Sequence, residues 1–284
     1  MLSTPPALIA VVGPVEPPLL TAWVHHYRLL GIERFLIAFH FPGHVPDQQR
    51  RELQATIREL GIVPTGTSIG PWHEHTNTQL RDTLQHQAGL GWHLLADADE
   101  FQQYPVPLNA VIVQAEDSGS RVVGGLTLDR IAASGHLTHR LLHGDPRKIV
   151  LARHDVTVSS GNHRAPGLRP DADRICAVHH FKWRSGVLDD LRRRVQHFST
   201  GTWQEQTPAV RDEASRLLSH VDQHGGVVNI CDRRFAFRRV SLDRLPYKWS
   251  SEARSIFTTW QPHIAHQQVP ETMTAPTHSS SRKE

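Results

Sequence analysis

The first hundred residues alternate short apolar runs with segments of helical periodicity. Residues 7–12 form an apolar run, and apolar side chains then recur at helical spacing until Gly31. A second apolar run at 34–39 is followed by a second helical pattern, which Gly61 ends. Such runs predict buried strands, and the periodic segments between them predict helices. We therefore expect an α/β fold with a mostly parallel sheet that is flanked by helices.

The alternation continues to residue 105 and then weakens. Further elements are predicted as strands at 62–69 and 92–96, helices at 74–88 and 108–116, strands at 121–128, 148–152, 155–159 and 174–181, and helices near 186–198 and 208–222. The segment 268–284 has no periodicity, so we expect it to be disordered. We accordingly divide the chain into an α/β half (1–105), a second half of the same domain with C-terminal helices (106–267), and a tail.

Three carboxylates stand at the exit of the strand predicted at 92–96. Residues 94–101 read LLADADEF, so Asp97, Asp99 and Glu100 directly follow an apolar run. The carboxyl ends of parallel strands form the edge at which α/β proteins bind ligands. Because burying an unpaired charge is costly, we expect a positive partner here. It is either an Arg or Lys side chain or a metal ion that carries a substrate.

The spacing of two of these carboxylates suggests a metal site. In an extended segment the side chains of Asp97 and Asp99 point to the same side. Two carboxylates on one side suit Mg²⁺ or Mn²⁺, which keep coordination positions open for a substrate's phosphates. Such an ion would stabilise the charge that develops when a diphosphate leaves. A solvated acidic turn has the same spacing, and this alternative stays open.

A basic segment lies at the exit of a later predicted strand. Residues 178–186 read VHHFKWRSG. His179 or His180 could complete the coordination of a metal. Lys182 and Arg184 alternate to one side and could hold phosphate oxygens. The alternative is an edge strand with ordinary surface charges.

Residues 159–167, SSGNHRAPG, form a glycine-containing loop that carries His163. A loop of this composition can close over a substrate and bring His163 to the ligand. A plain surface loop has the same composition, so both interpretations remain.

Composition excludes several classes of protein. The chain has 284 residues and a formal net charge of only +3, which gives no argument for nucleic-acid binding. Its two cysteines provide no disulfide framework and fit a reducing cytoplasmic setting. None of the 21 histidines lies in a zinc-protease or zinc-finger spacing. The sequence contains neither a signal-peptide pattern nor an apolar stretch long enough for a membrane span.

Taken together, these segments resemble the family-2-like glycosyltransferases of the GT-A fold, in the group related to family 92. The resemblance runs in order over residues 7–103, through Glu16-x-x-Leu-Leu-x-Ala-Trp23, LLGIERFLI and WHLLADADEF. It continues more loosely over 155–198 with HHFKWRS. The resemblance implies a nucleotide-sugar donor, a Mn²⁺ or Mg²⁺ ion, and transfer of a sugar to an acceptor.

The resemblance also implies roles for single residues. Asp97 and Asp99 match the metal-binding DxD motif, and Asp97 is expected to contact the donor as well. His179 or His180 matches a late histidine that joins the metal. Glu16 matches an acidic residue near the nucleotide.

The implied reaction is an inverting single displacement, which needs a base to take the acceptor's proton. Asp129 is the predicted base and Asp155 the second choice. A UDP-sugar is the default donor, and a small metabolite or saccharide the expected acceptor. Pro14-Val15 and Ala22 depart from the family pattern, as does FHFPGH after the second strand, so the nucleobase contacts stay open. The alternatives are a non-catalytic carbohydrate- or nucleotide-binding protein of this fold and a sugar-phosphate nucleotidyltransferase.

Overall fold

The computed structural model describes residues 5–71, 74–131, 136–138, 147–171, 174–183, 187–201 and 208–226. The strands are β1 (Ala7–Val12), β2 (Arg34–Phe41), β3 (Gly66–Ile69), β4 (Trp92–Leu95), β5 (Glu100–Gln103), β6 (Val122–Ile131), β7 (His136–Thr138), β8 (Arg147–Arg153) and β9 (Cys176–Trp183). The helices are α1 (Pro17–Leu29), α2 (Asp47–Glu59), α3 (Glu74–Ala88), α4 (Leu108–Asp117), α5 (Val187–Ser199) and α6 (Pro208–Gln223). A short 3₁₀ helix covers Ser160–Asn162.

All nine strands belong to one sheet, in the order β3-β2-β1-β4-β8-β6-β9-β5, with β7 paired to β6. The strands β1 to β4 pair in parallel, and β6 pairs in parallel with β9. The strand β8 is antiparallel to both β4 and β6, and β5 is antiparallel to β9. The α/β class is therefore confirmed. The parallel pairing is concentrated in the first half, and the complete sheet is mixed.

Alternation along β1 explains why helices cover both faces of the sheet. Leu8, Ala10 and Val12 belong to one buried apolar cluster, whereas Ala7 and Ile9 belong to another. Alternate residues of a strand face opposite sides, so the two clusters lie on opposite faces. The first cluster also contains the inner faces of α1, α2 and α4, and the second contains that of α3.

Parts of the predicted strand pattern are wrong. The segment 155–159 is not a strand, because β8 ends at Arg153 and the chain turns there. Its alternating Val156 and Val158 are buried in the second apolar cluster without joining the sheet. In addition, β5 begins directly at Glu100, where the sequence indicated no strand. Two valines at strand spacing bury equally well in a loop, so periodicity alone misassigned the segment.

Among the described residues, no helix is both long enough and apolar enough to cross a membrane.

Candidate active site at the carboxyl edge of the sheet

The DADEF segment is a tight turn between two strands. After β4 ends at Leu95, the amide of Glu100 donates a hydrogen bond of 3.0 Å to the carbonyl of Asp97. The prediction that this segment is extended is therefore wrong. The turn sends these two side chains to different partners.

Asp97 and Glu100 share one ammonium group, and we call Asp97, Glu100 and Lys148 the lysine cluster. The Nζ atom of Lys148 lies 3.1 Å from Asp97 Oδ2 and 2.5 Å from Glu100 Oε1. Lys148 and Glu100 are buried, whereas 45% of the Asp97 side chain is exposed. Lys148 comes from β8, which is antiparallel to β4, so the start of β8 lies beside the end of β4. Part of Asp97 thus remains accessible to a ligand.

The pKa values of the lysine cluster follow from burial and from its charges. Burial acts to lower the pKa of Lys148, but Asp97 and Glu100 outweigh it and raise that pKa above its ordinary value. Burial acts to raise the pKa of Asp97, but Lys148 outweighs it and lowers that pKa. Burial raises the pKa of Glu100 against the opposing effect of Lys148. Lys148 is therefore a permanent cation in this site.

Asp99 faces an imidazole instead, and we call Asp99, Asp129 and His180 the histidine cluster. His180 Nε2 lies 3.7 Å from Asp99 Oδ1, and His180 Nδ1 lies 2.9 Å from Asp129 Oδ1. Burial acts to lower the pKa of His180, but the charges of Asp99 and Asp129 outweigh it and raise that pKa to about 9. Without a metal, His180 is therefore an imidazolium at neutral pH.

Strand register decides which of the two neighbouring histidines meets the carboxylates. His180 is the register partner of Asp129 in β6 and of Glu100 in β5. His179 faces the other side of the sheet, where its Nε2 lies 3.1 Å from Gln103 Oε1. The structure therefore favours His180 over His179 as the candidate metal ligand.

Helix α1 fixes the backbone of this turn through three side chains on one face. Trp23 Nε1 donates to the carbonyl of Asp97 at 2.9 Å, and the Tyr27 hydroxyl donates to that of Glu100 at 2.9 Å. His26 Nε2 donates to the carbonyl of Gln102 at 2.9 Å. Sequence periodicity predicted the buried face of this helix but not these contacts. The spacing Trp-x-x-His-Tyr places all three side chains on one side of a helix and was the available signal.

A pocket of about 340 Å³ opens at the carboxyl ends of β1 and β2. Its polar lining consists of Glu16, His44, Gln49, Asp189, Asp190 and Arg193. Glu16 immediately precedes α1, after the end of β1. Because β1 pairs in parallel with β4, Glu16 and the DADEF turn lie at the same edge of the sheet.

Arg81 of α3 anchors the loop that carries His163. The Arg81 guanidinium is buried and donates to the carbonyls of Val158 and Ser159 and to the side chain of Asn162. Asn162 has a φ of 57°, a left-handed conformation that this anchoring stabilises. His163 Nδ1 donates to the carbonyl of Arg147 at 2.8 Å. Its charge is one of the lesser influences that lower the pKa of Asp97, after Lys148 and His180.

The remaining predicted site residues have different outcomes. Asp155 lies beyond the end of β8, at the edge of the sheet opposite DADEF, and pairs with Arg121 at 2.7 Å. Antiparallel pairing of β8 with β4 therefore places Asp155 away from the DADEF turn. The backbone of Lys182 belongs to β9, but its side chain is not described. Arg184 lies outside the described residues.

The described residues contain no group of three or more His, Cys, Asp or Glu side chains that could hold a metal ion. Oδ2 of Asp97 is paired with Lys148. The carboxylate of Asp99 nevertheless suits Mn²⁺ or Mg²⁺, whereas the imidazole of His180 is a ligand more typical of transition metals. The hydrogen bond from His180 Nδ1 to a carboxylate is also the usual support of a metal-binding histidine. An ion bound here would have two protein ligands, and a substrate would have to fill its other positions.

Neither the family models nor the curated proteins compared with this chain match it. Among solved structures, it is similar to the mannosyltransferase PcManGT from Pyrobaculum calidifontis in complex with GDP-Man and Mn²⁺, at 12% identity over 93% of this chain and 82% of that one, with a TM-score of 0.37. It is also similar to residues 1–349 of S. aureus TarS in complex with UDP-GlcNAc, at 10% identity over 90% and 92% of the chains, with a TM-score of 0.36. Similarities this low assign neither a family nor a function.

Proposed function

We propose that this chain is a metal-dependent glycosyltransferase that moves a sugar from a nucleoside-diphosphate donor to a hydroxyl of a soluble acceptor. One observation carries the proposal. The Asp99–His180 pair and the pocket of about 340 Å³ beside Glu16 lie at the same carboxyl edge of the sheet. Ligands of α/β sheets bind at this edge, and the volume is within the range of small-molecule sites. The resemblance of DADEF to a DxD motif points to the same chemistry.

In this proposal, Asp99 and Nε2 of His180 hold the divalent cation. When bound, the ion would neutralise the charge that develops on the departing diphosphate. Exposure of Asp97 leaves part of its carboxylate available to the donor, while its Oδ2 stays with Lys148. Glu16 would accept a hydrogen bond from a sugar hydroxyl or base N–H of the nucleotide.

The balance of charges at this edge supports the need for added cations. The two clusters contain four carboxylates, whereas Lys148 and His180 are their two cationic groups. A diphosphate brings further negative charge and would be repelled by the carboxylates. The proposed divalent ion, together with Lys182, Arg184 and His163, would offset that repulsion. UDP remains the default nucleotide, and a small metabolite or saccharide the proposed acceptor.

The reaction itself is a displacement at the anomeric carbon, which we propose to be inverting. The acceptor oxygen forms the new bond to this carbon as the bond to the diphosphate oxygen breaks. The acceptor proton must pass to a base within hydrogen-bond reach. Asp129 was predicted for that role, but its Oδ1 already accepts a hydrogen bond from His180, and its side chain is largely buried. The geometry thus favours another role for Asp129.

Thermal shift against a panel of nucleoside diphosphates and nucleotide sugars, each with and without Mn²⁺, tests this proposal. A ligand that binds the folded state raises the melting temperature by mass action. We expect a rise that requires Mn²⁺ with one nucleotide, and no such rise for Asp99→Ala. A folded protein that responds to no member of the panel would contradict the proposal.

Turnover separates an enzyme from a binding protein of the same fold. We expect the nucleotide sugar that gives the thermal shift to be hydrolysed slowly in the presence of Mn²⁺, and to be consumed faster with a suitable acceptor. Binding that depends on Mn²⁺ without any hydrolysis or transfer would favour the non-catalytic alternative. Release of pyrophosphate from a nucleoside triphosphate and a sugar phosphate would instead favour a nucleotidyltransferase.

A further inference from the structure

We propose that Asp129 is a positioning residue that holds His180 so that its Nε2 atom is presented to the divalent cation. The inference rests on the proposed metal site and goes beyond it, because it assigns to Asp129 a role that is not that of a base. It concerns a side chain that contacts the metal ligand and not the metal itself.

The proton arrangement follows from the contact between the two residues. His180 Nδ1 and Asp129 Oδ1 are 2.9 Å apart, which is a hydrogen-bond distance. An ionised carboxylate only accepts hydrogen bonds, so Nδ1 carries the proton. Nε2 then lies towards Asp99 Oδ1 at 3.7 Å, which is too long for a hydrogen bond. The nitrogen that faces Asp99 is thus the one that can exchange its proton for a metal.

The backbone supports this contact from two neighbouring strands. Asp129 and His180 are register partners in the parallel pair of β6 and β9, and the register shifts immediately after Asp129. The irregularity limits the regular ladder to the residues up to Asp129. Only 7% of the surface of Asp129 is exposed, so this residue has little access to an acceptor bound at the carboxyl edge of the sheet. Both features suit a fixed orienting group better than a base that must meet a substrate.

Asp129→Asn tests the role because it keeps the size of the side chain and changes its hydrogen bonding. An asparagine amide can donate to Nδ1, which leaves the proton on Nε2 and blocks metal binding there. We expect the variant to bind Mn²⁺ about 10- to 100-fold more weakly in the presence of the responsive nucleoside diphosphate. Binding is measured by electron paramagnetic resonance of free Mn²⁺. Asp155→Asn, the same change at the opposite edge, is the matched control and should bind Mn²⁺ as the wild type does.

Kinetics separate a positioning residue from a base. For a positioning residue, Asp129→Asn raises the Mn²⁺ concentration needed for half-maximal rate, and saturating Mn²⁺ restores most of kcat. Loss of a general base would lower kcat by roughly 10²- to 10⁴-fold at every Mn²⁺ concentration. Unchanged Mn²⁺ affinity together with that loss of kcat would overturn the inference.

Two further results distinguish a failure of this inference from a folding defect and from a failure of the proposed function. Asp129→Glu keeps the carboxylate, so it should bind Mn²⁺ more tightly than Asp129→Asn. If both variants are folded and Asp129→Asn binds Mn²⁺ more tightly than Asp129→Glu, the carboxylate does not determine Mn²⁺ affinity, and the inference fails. If wild-type protein binds no Mn²⁺ with any nucleotide, the proposed metal site itself fails.

Discussion

The lysine cluster and the histidine cluster both contain carboxylates of the DADEF turn, yet their cations differ in kind. Asp97 and Glu100 share the buried ammonium of Lys148, at 3.1 and 2.5 Å. Asp99 faces the imidazole of His180, whose charge is a single exchangeable proton. The first cation is attached to the chain through a side chain from β8 and cannot leave the site. In the proposed function, a metal would replace the second at the cost of one proton.

This difference answers the question that the sequence left open about the positive partner of the carboxylates. A lysine neutralises the part of the turn that must be buried. His180, whose charge is an exchangeable proton, faces Asp99 at the carboxyl edge of the sheet, where a ligand could bind. Asp97 pairs with Lys148 and Asp99 with His180, so the two carboxylates of the turn have different cationic partners. The predictions below test that division, beginning with the largest expected effect.

Removing the buried ammonium of Lys148 should give the largest loss of stability. Lys148→Met leaves the buried Glu100 carboxylate without its partner, so we expect the free energy of unfolding to fall by about 3–5 kcal/mol. Urea denaturation measures the change. Arg153→Met on the same strand is the matched control, since it breaks the partly exposed pair with Glu116 and should cost about 1 kcal/mol or less. Equal losses in the two variants would mean that the lysine cluster is not a buried pair.

Removing the Asp99 carboxylate of the histidine cluster should greatly reduce transfer and leave the fold intact. We expect Asp99→Ala to lower kcat/KM by roughly 10³-fold or more, because the ion that stabilises the leaving diphosphate is lost. Circular dichroism and urea denaturation should show a folded protein. Asp155→Ala is the control and should retain activity. Full turnover of Asp99→Ala at saturating Mn²⁺ would remove Asp99 from the metal site.

The imidazolium should make stability depend on pH in the metal-free protein. The pKa of His180 is raised to about 9 in the folded state, from about 6.5 in an unfolded chain. Protonation of His180 therefore makes its full contribution to the free energy of unfolding below pH 6.5, and this contribution is lost as the pH rises towards 9. The loss is on the order of 3 kcal/mol. Urea denaturation at several pH values measures it, and His180→Gln should remove this component. An identical pH dependence in that variant would contradict the assignment.

The basic residues of the β9 exit should affect donor affinity more than stability. We expect the double variant Lys182→Ala/Arg184→Ala to bind the nucleoside diphosphate about tenfold more weakly, because charge-assisted hydrogen bonds to phosphate are lost. Isothermal titration with and without Mn²⁺ measures this affinity. Unchanged binding would exclude both residues from the donor site.

The sequence predicted much of the first half of the fold, because the apolar residues of each strand and helix there recur at the spacing typical of that element. The expected parallel direction holds for β1 to β4. The sequence did not predict that β8 inserts antiparallel beside β4 from more than fifty residues away. The sequence therefore located the carboxylates and left their partner unnamed. Lys148 sits at the start of the apolar run KIVLA, and a charge at the start of such a run was the available signal.

Other parts of the site depended on local geometry that periodicity does not contain. Asp97 and Asp99 were expected on one side because the segment reads as a continuation of β4, whereas the hydrogen bond from Glu100 to Asp97 turns it. The choice between His179 and His180 required the register of β9 against β5 and β6. The first depends on a local turn, and the second on contacts between distant parts of the chain.

Anomalous diffraction at the manganese edge, from crystals grown with Mn²⁺ and the responsive nucleoside diphosphate, tests the central claim most directly. We predict one peak within bonding distance of Asp99 and His180 Nε2, with Lys148 still paired to Asp97 and Glu100. A peak that displaces Lys148 from Asp97, or no peak at this edge with the nucleotide bound, would contradict the division of the DADEF turn into a structural and an exchangeable cation site.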